Sequence, residues 1–211
     1  MAAVTVGLLG VLTNSQMILG ISKPVATVLL IAVLGALPVD LRGYLIAGGI
    51  VLSLAADIAL LSEGQAGLLA GLMFFLMAHL CYGSAFWDAR ATGWLVAPGL
   101  VVFGGGSLWL FRHQRQRFGS GLRLLIALHA LTLTLMVATV YSTLAGHAVL
   151  SLAAVASMGA VMFYLSQIML PLVRLRRASV WAQSATLVGY WTGQLCLVLA
   201  ARWGLGGKLV P

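Results

Sequence analysis

Apolar residues run almost without interruption along this chain, and its polar positions are of two kinds: short clusters between the runs, and single side chains deep inside them. Runs long enough for a helical membrane span, about 20 residues, fall at approximately 2–20, 24–39, 43–62, 65–87, 93–111, 122–145, 147–170 and 179–202. The strict alternation that marks a transmembrane strand is absent. The pattern therefore predicts helices, which satisfy their own backbone hydrogen bonds in lipid. The expected fold is all-α, an integral membrane bundle of about eight transmembrane helices forming a single polytopic domain over 1–211. The first run lacks the basic n-region and clear cleavage site of a signal peptide and is expected to stay as a helix. No internal repeat, low-complexity tract or domain linker is visible, and the longest polar stretch, RHQRQRFGSG, is loop-sized.

Composition sharpens this picture. Of 211 residues, 62% are hydrophobic and 8% charged, against roughly 25% charged in a soluble domain; the mean hydropathy is +1.07. A net charge of +8 raises nucleic acid as a partner. The charges sit in short clusters at span ends, however, where attraction to anionic headgroups is the ordinary explanation, so no nucleic-acid partner is expected. The connections one to two, five to six and seven to eight carry Lys23, Arg112, Arg115, Arg117, Arg123, Arg174, Arg176 and Arg177, while Arg42, Arg90, Arg202 and Lys208 lie on the other side. The richer face is expected in the cytoplasm, with both termini outside, and in a bacterium the membrane would be the inner one. Cys81 and Cys196 fall inside predicted spans without C-x-x-C spacing and are expected to pack as small apolar residues. Gly67, Gly71 and the Gly104–Gly106 run predict close helix approach. Oligomeric state is open at this level.

The buried polar residues carry the chemical information. An ionisable side chain within the hydrocarbon costs several kcal/mol, so it marks a functional site by default. Asp57 is the one acid so placed; Asp40, Glu63 and Asp88 lie at span ends, where headgroup contact accounts for them. At 1.5 Å per residue, Asp57 lies about 9 Å inside Glu63, and Ser53 is one turn further along the same face. Asn14, Gln167 and His129 reach a similar depth, about 9–10 Å, from the same membrane side, which Lys23 marks just before Pro24 at a helix start. Deeper still, His79 and Tyr82 share a face of the fourth span, and Tyr190 and Gln194 share one of the eighth. Such groups can simply hydrogen-bond to fix helix packing, but packing alone needs no carboxylate. No metal spacing such as H-x-x-x-H occurs, no serine-hydrolase G-x-S-x-G elbow occurs, and neither metal nor cofactor is expected.

These residues lie in stretches that resemble a known family. SKP at Ser22–Pro24, SLAAD ending in Asp57, GLMFFLMAHLCY at Gly71–Tyr82, GAVMFYLSQ at Gly159–Gln167 and YWTGQ at Tyr190–Gln194 look like the successive motifs of the YhhN family, whose animal members are the TMEM86 lysoplasmalogenases. The resemblance implies eight helices and hydrolysis of the vinyl ether bond of lysoplasmalogen, releasing a fatty aldehyde and a glycerophospho-alcohol. By position it makes Asp57 the family's aspartate on the third span, His79 and Tyr82 its A-H-x-x-Y element, and Lys23, Tyr190 and Gln194 further pocket residues. One place departs: where the family pattern has Ser-Asp on the seventh span, thought to supply a second carboxylate, this chain has Ser166-Gln167.

Two acids suit that reaction. Proton delivery to the outer alkene carbon gives an oxocarbenium ion, water attacks it, and the hemiacetal collapses to aldehyde and alcohol. The first step needs a carboxylic acid that still carries its proton near neutral pH, the form that an apolar surrounding favours; the second needs a base, and a nearby negative group steadies the cation. The expected catalytic set is Asp57 as donor with Gln167 and His79; Asn14, Lys23, Ser53, Tyr82, His129, Ser166, Tyr190 and Gln194 are expected to bind a lysophospholipid or related ether lipid within the bilayer. The departure at Gln167 leaves a non-catalytic, lipid-binding member as the alternative. A small proton-coupled transporter is a third class, disfavoured by the absence of paired broken helices or an inverted repeat.

Overall fold

The structure is a computed structural model that describes residues 24–31, 40–62, 64–87, 96–114, 119–145, 150–174 and 179–202. Its helices are α1 (residues 24–31), α2 (Leu41–Ala59), α3 (Gln65–Ala85), α4 (Val96–Gln114), α5 (Ser120–Ser142, continued by a 3₁₀ turn, Thr143–Ala145), α6 (Leu150–Arg174) and α7 (Val180–Arg202). Among the described residues, α2, α3, α5, α6 and α7 are long and apolar enough to cross a membrane; the apolar part of α4, Val96–Arg112, is shorter. Of the eight expected spans, the structure thus supports five. The run at 2–20 lies outside the described residues and the second is described only as α1.

Local chemistry sets the helix ends. Asp40 caps α2, its Oδ1 accepting from the Gly43 amide at 2.8 Å, which satisfies one of the donors a helix start leaves free. Arg42 Nε donates to the Ala85 carbonyl at 3.1 Å, tying the start of α2 to the end of α3. Ser179 Oγ accepts from the Ala182 amide at 3.3 Å and so caps α7. At the end of α5 the hydroxyls of Ser142 and Thr143 turn back onto the carbonyls of Thr139 and Val140, both at 2.7 Å.

The pairings α2–α3, α3–α5, α5–α6 and α6–α7 are each extensive, and a smaller α2–α7 contact closes them into a ring. Helix α4 packs on the outside of that ring against α5. There the hydroxyls of Ser107, Thr134 and Tyr164 join, at 2.9 and 3.0 Å, and Tyr164 also donates to the Phe103 carbonyl at 2.6 Å. Tight seams are made by missing side chains: a Cβ on Gly193 would stand 2.7 Å from the Phe163 amide nitrogen, so α6 and α7 meet almost backbone to backbone. Gly67 and Gly71 likewise press on the end of α2 at Ala59 and Leu60, the close approach their spacing predicts.

The distribution of polarity is the reverse of a soluble domain's. Val101, Val102 and Trp181 stand exposed, while Thr27, Ser53, Asp57, His79, His129, Gln167 and Gln194 are buried. An apolar exterior enclosing polar groups matches a bundle whose solvent is lipid.

Candidate functional site

Asp57 lies near the C-terminal end of α2 on a stripe, Gly49–Ser53–Asp57, that returns every four residues and faces into the ring. It is 2% exposed. Its Oδ2 accepts two hydrogen bonds, from Thr27 Oγ1 on α1 at 2.9 Å and from the Tyr190 hydroxyl on α7 at 2.8 Å. One turn back, Ser53 Oγ and the Tyr82 hydroxyl are 3.3 Å apart. Gly49 makes that contact possible, because a Cβ there would collide with the Tyr82 ring. Helices α1, α2, α3 and α7 thus converge on one carboxylate-centred group.

A second polar group lies between α3, α5 and α6. The rings of His79 and His129 are 4.8 Å apart, centroid to centroid. His129 stands beside the main-chain carbonyls of Leu72 and Gln167, though neither of its nitrogens has a hydrogen-bond partner there. Thr132 Oγ1 is 3.5 Å from His79 Nδ1. Among the described residues His79 Nε2, Gln167 Oε1 and both amide atoms of Gln194 also lack a partner. Buried polar atoms of this kind cost about 1–3 kcal/mol each when left unsatisfied.

Aromatic rings join the two groups. Phe75 meets Tyr190 edge-on at 5.9 Å and reaches both histidines at 6.3 Å. Phe163 stacks on Tyr190 at 5.6 Å and meets His79 at 5.7 Å and Tyr82 at 5.8 Å. On α3 the residues Leu72, Phe75, His79 and Tyr82 follow helical spacing, so one face alternates apolar and polar contacts along the depth of the ring.

The structure brings Asp57 together with Tyr190, and Ser53 with Tyr82; His79 and His129 meet each other, with the Gln167 backbone beside them. Ser166 is buried where α6 crosses α7, 3.6 Å from a Cβ built on Gly189. Gln194 is buried one turn beyond Tyr190. Asn14 and Lys23 lie outside the described residues. Three residues went unnoticed in the sequence. Thr27 had a weak signal, since it falls one helical turn after Lys23. Phe75 and Phe163 had none, because an aromatic residue inside an apolar run looks like any other core residue.

These helices, with polar groups enclosed by an apolar shell, define a membrane-embedded α-helical protein with an interior polar site. Residues 20–201 match the model of the YhhN family; the chain belongs to the YhhN family, in which the TMEM86 lysoplasmalogenase is a known member. No curated protein and no solved structure matches the chain.

Proposed function

We propose that this protein is a membrane hydrolase that cleaves the vinyl ether bond of lysoplasmalogen or a related single-chain ether lipid, with its basic face toward the cytoplasm. The observation that carries the reading is Asp57: one carboxyl group enclosed by an apolar bundle and held by two hydroxyl donors. In this reading Asp57 delivers its proton to the outer alkene carbon, and the oxocarbenium ion forms between the hydroxyl cluster and the aromatic rings. Water adds to the cation and gives up a proton to the Asp57 carboxylate, which restores the acid, and the hemiacetal collapses to a fatty aldehyde and a glycerophospho-alcohol. Gln167, His79 and His129 bind and orient that water; Ser53, Tyr82, Ser166, Tyr190 and Gln194, with Asn14 and Lys23, hold the lipid.

The glutamine at 167 favours one competing reading, a member that binds the lipid without cleaving it. Aldehyde release from lysoplasmalogen, with the saturated ether as control, separates the two. An active wild type, and an Asp57→Asn variant that folds but turns over about 10²–10⁴-fold more slowly, support the hydrolase. Gln167→Asp is then expected to raise the rate by restoring a second proton-transfer group. An inactive wild type that retains lipid binding supports the alternative, and unchanged turnover in Asp57→Asn removes that residue from the mechanism.

A further inference from the structure

On Asp57 both hydrogen bonds fall on the same oxygen. Thr27 Oγ1 and the Tyr190 hydroxyl donate to Oδ2, at 2.9 and 2.8 Å, and a carboxyl oxygen has two lone pairs to offer. With both engaged, Oδ2 takes the carbonyl place of a neutral carboxyl group, and the acid proton belongs to Oδ1. The donors come from α1 and α7, so neither depends on the winding of α2, which bears the aspartate.

Both donors are held in place. Thr27 is fully buried and Tyr190 is 2% exposed. The threonine hydroxyl is attached at Cβ on a side chain with few rotamers. The Tyr190 ring is stacked on Phe163 at 5.6 Å and met edge-on by Phe75 at 5.9 Å, so its hydroxyl cannot leave the carboxyl without displacing both rings. Such donors treat the two forms of the carboxyl unequally, because a hydrogen bond to an ionised oxygen is roughly twice as strong as one to a neutral oxygen. A hydroxyl, unlike a guanidinium or an ammonium group, supports the ionised form without bringing a charge of its own.

We infer that Thr27 and Tyr190 are positioning residues of the hydrolase: they fix which oxygen of Asp57 gives up its proton, and they support the negative charge that the carboxyl gains as the proton leaves. This rests on the hydrolase reading. In the step, the π electrons of the vinyl ether form the new C–H bond at the outer alkene carbon, the Oδ1–H bond breaks, and its electron pair stays on Asp57. The charge spreads to Oδ2, where both donors already stand. Their bonds strengthen only as the proton departs, so the effect falls on kcat and not on lipid affinity. When the attacking water returns a proton to Asp57, the bonds weaken again and the acid is restored. Tyr190 thus acts through Asp57, and Thr27 joins the site although no motif marks it.

The test compares aldehyde release from lysoplasmalogen by purified wild type, Asp57→Asn, Thr27→Val, Thr27→Ser and Tyr190→Phe in detergent, with the Asp57 carboxyl followed separately by NMR. An isotopic label on the aspartate side-chain carboxyl marks three sites, Asp40, Asp57 and Asp88, and the signal missing from Asp57→Asn is that of Asp57. Thr27→Val removes the hydroxyl at nearly constant shape and should lower kcat about five- to tenfold with KM unchanged. Tyr190→Phe should do the same. In both, the Asp57 signal should move while the other two stay. Thr27→Ser keeps the donor and should restore both the rate and the signal. An active wild type whose Thr27→Val and Tyr190→Phe variants keep their kcat overturns the inference and leaves the hydrolase reading standing. So does a loss that falls on KM, one that Thr27→Ser does not restore, or a lowered kcat with an unmoved Asp57 signal, since the residues would then serve lipid binding or packing. An inactive wild type overturns the hydrolase reading, and the inference with it, whatever the signal does. Should Thr27→Val fail to fold, Tyr190→Phe, which keeps both ring contacts, decides.

Discussion

The carboxylate of Asp57 holds three helices to one point, because the two hydroxyls that bond its Oδ2 come from α1 and α7 while the aspartate belongs to α2. A hydrogen bond to a neutral, proton-bearing carboxyl contributes about 0.5–1.5 kcal/mol. Tyr190→Phe keeps the ring contacts with Phe75 and Phe163 but removes one donor, and should lower unfolding stability in detergent by an amount in that range. Thr27→Val, close to isosteric, removes the other. The two donors share one acceptor, so the double variant should depart from additivity by about 0.5–3 kcal/mol. Strictly additive losses in a denaturation series would show that the two bonds do not act as one unit. Asp57 itself was legible in the sequence, since an acid in the middle of an apolar run has few bland explanations. Its partners were not, because a threonine or tyrosine is common enough in membrane helices to carry no signal alone.

Helix pairing in lipid gains little from apolar contact, since the surrounding tails are as apolar as the side chains, and close packing has to supply the attraction instead. The α6–α7 seam shows the consequence at Gly159 and Gly193, where added side-chain atoms would run into the facing backbone. Gly193→Leu should force the helices apart and cost about 1–3 kcal/mol, visible as a lower thermal midpoint in detergent. Gly105→Ala is the control: among the described residues a Cβ there meets nothing within 4 Å, and the preference of a helix for alanine over glycine should leave the protein unchanged or up to about 1 kcal/mol more stable. If both variants melt alike, close approach at Gly193 is not what holds the seam. The glycine-rich run on α4 drew attention in the sequence, yet in that run only Gly106 is tightly opposed, 3.1 Å from the Tyr164 hydroxyl. Glycine counts do not reveal which glycines face a neighbour.

Charge asymmetry between the two ends of the bundle makes orientation testable. With Cys81 and Cys196 replaced by alanine, a cysteine at Arg112 should react with an impermeant maleimide from the cytoplasmic side, and one at Trp87 from the opposite side. The two sites close opposite ends of α4 and α3, and both are exposed. The reverse pattern would invert the orientation that the basic loops predict. The ring closure at α2 and α7 matters at this level too, because it turns a row of helices into an enclosure. Without that contact, Asp57 and Tyr190, 133 residues apart, would have no reason to meet.

The sequence was sufficient for the class of fold, for the approximate limits of the helices from α2 to α7, and for singling out Asp57. These follow from local quantities: the length of an apolar run and the cost of one charge within it. It also placed His79 and His129 in the interior through their depth in the runs. The grouping of the polar residues had to come from the assembled bundle. Depth along a helix can be counted from the sequence, but rotation about the helix axis and the choice of neighbour are set by packing. Asp57 and His129, assigned a similar depth, accordingly belong to different groups joined through Phe75, Phe163 and Tyr190. The pairing of α3 with α5 is of the same kind: two helices separated in the chain by α4 pack side by side, which no single stretch of residues encodes.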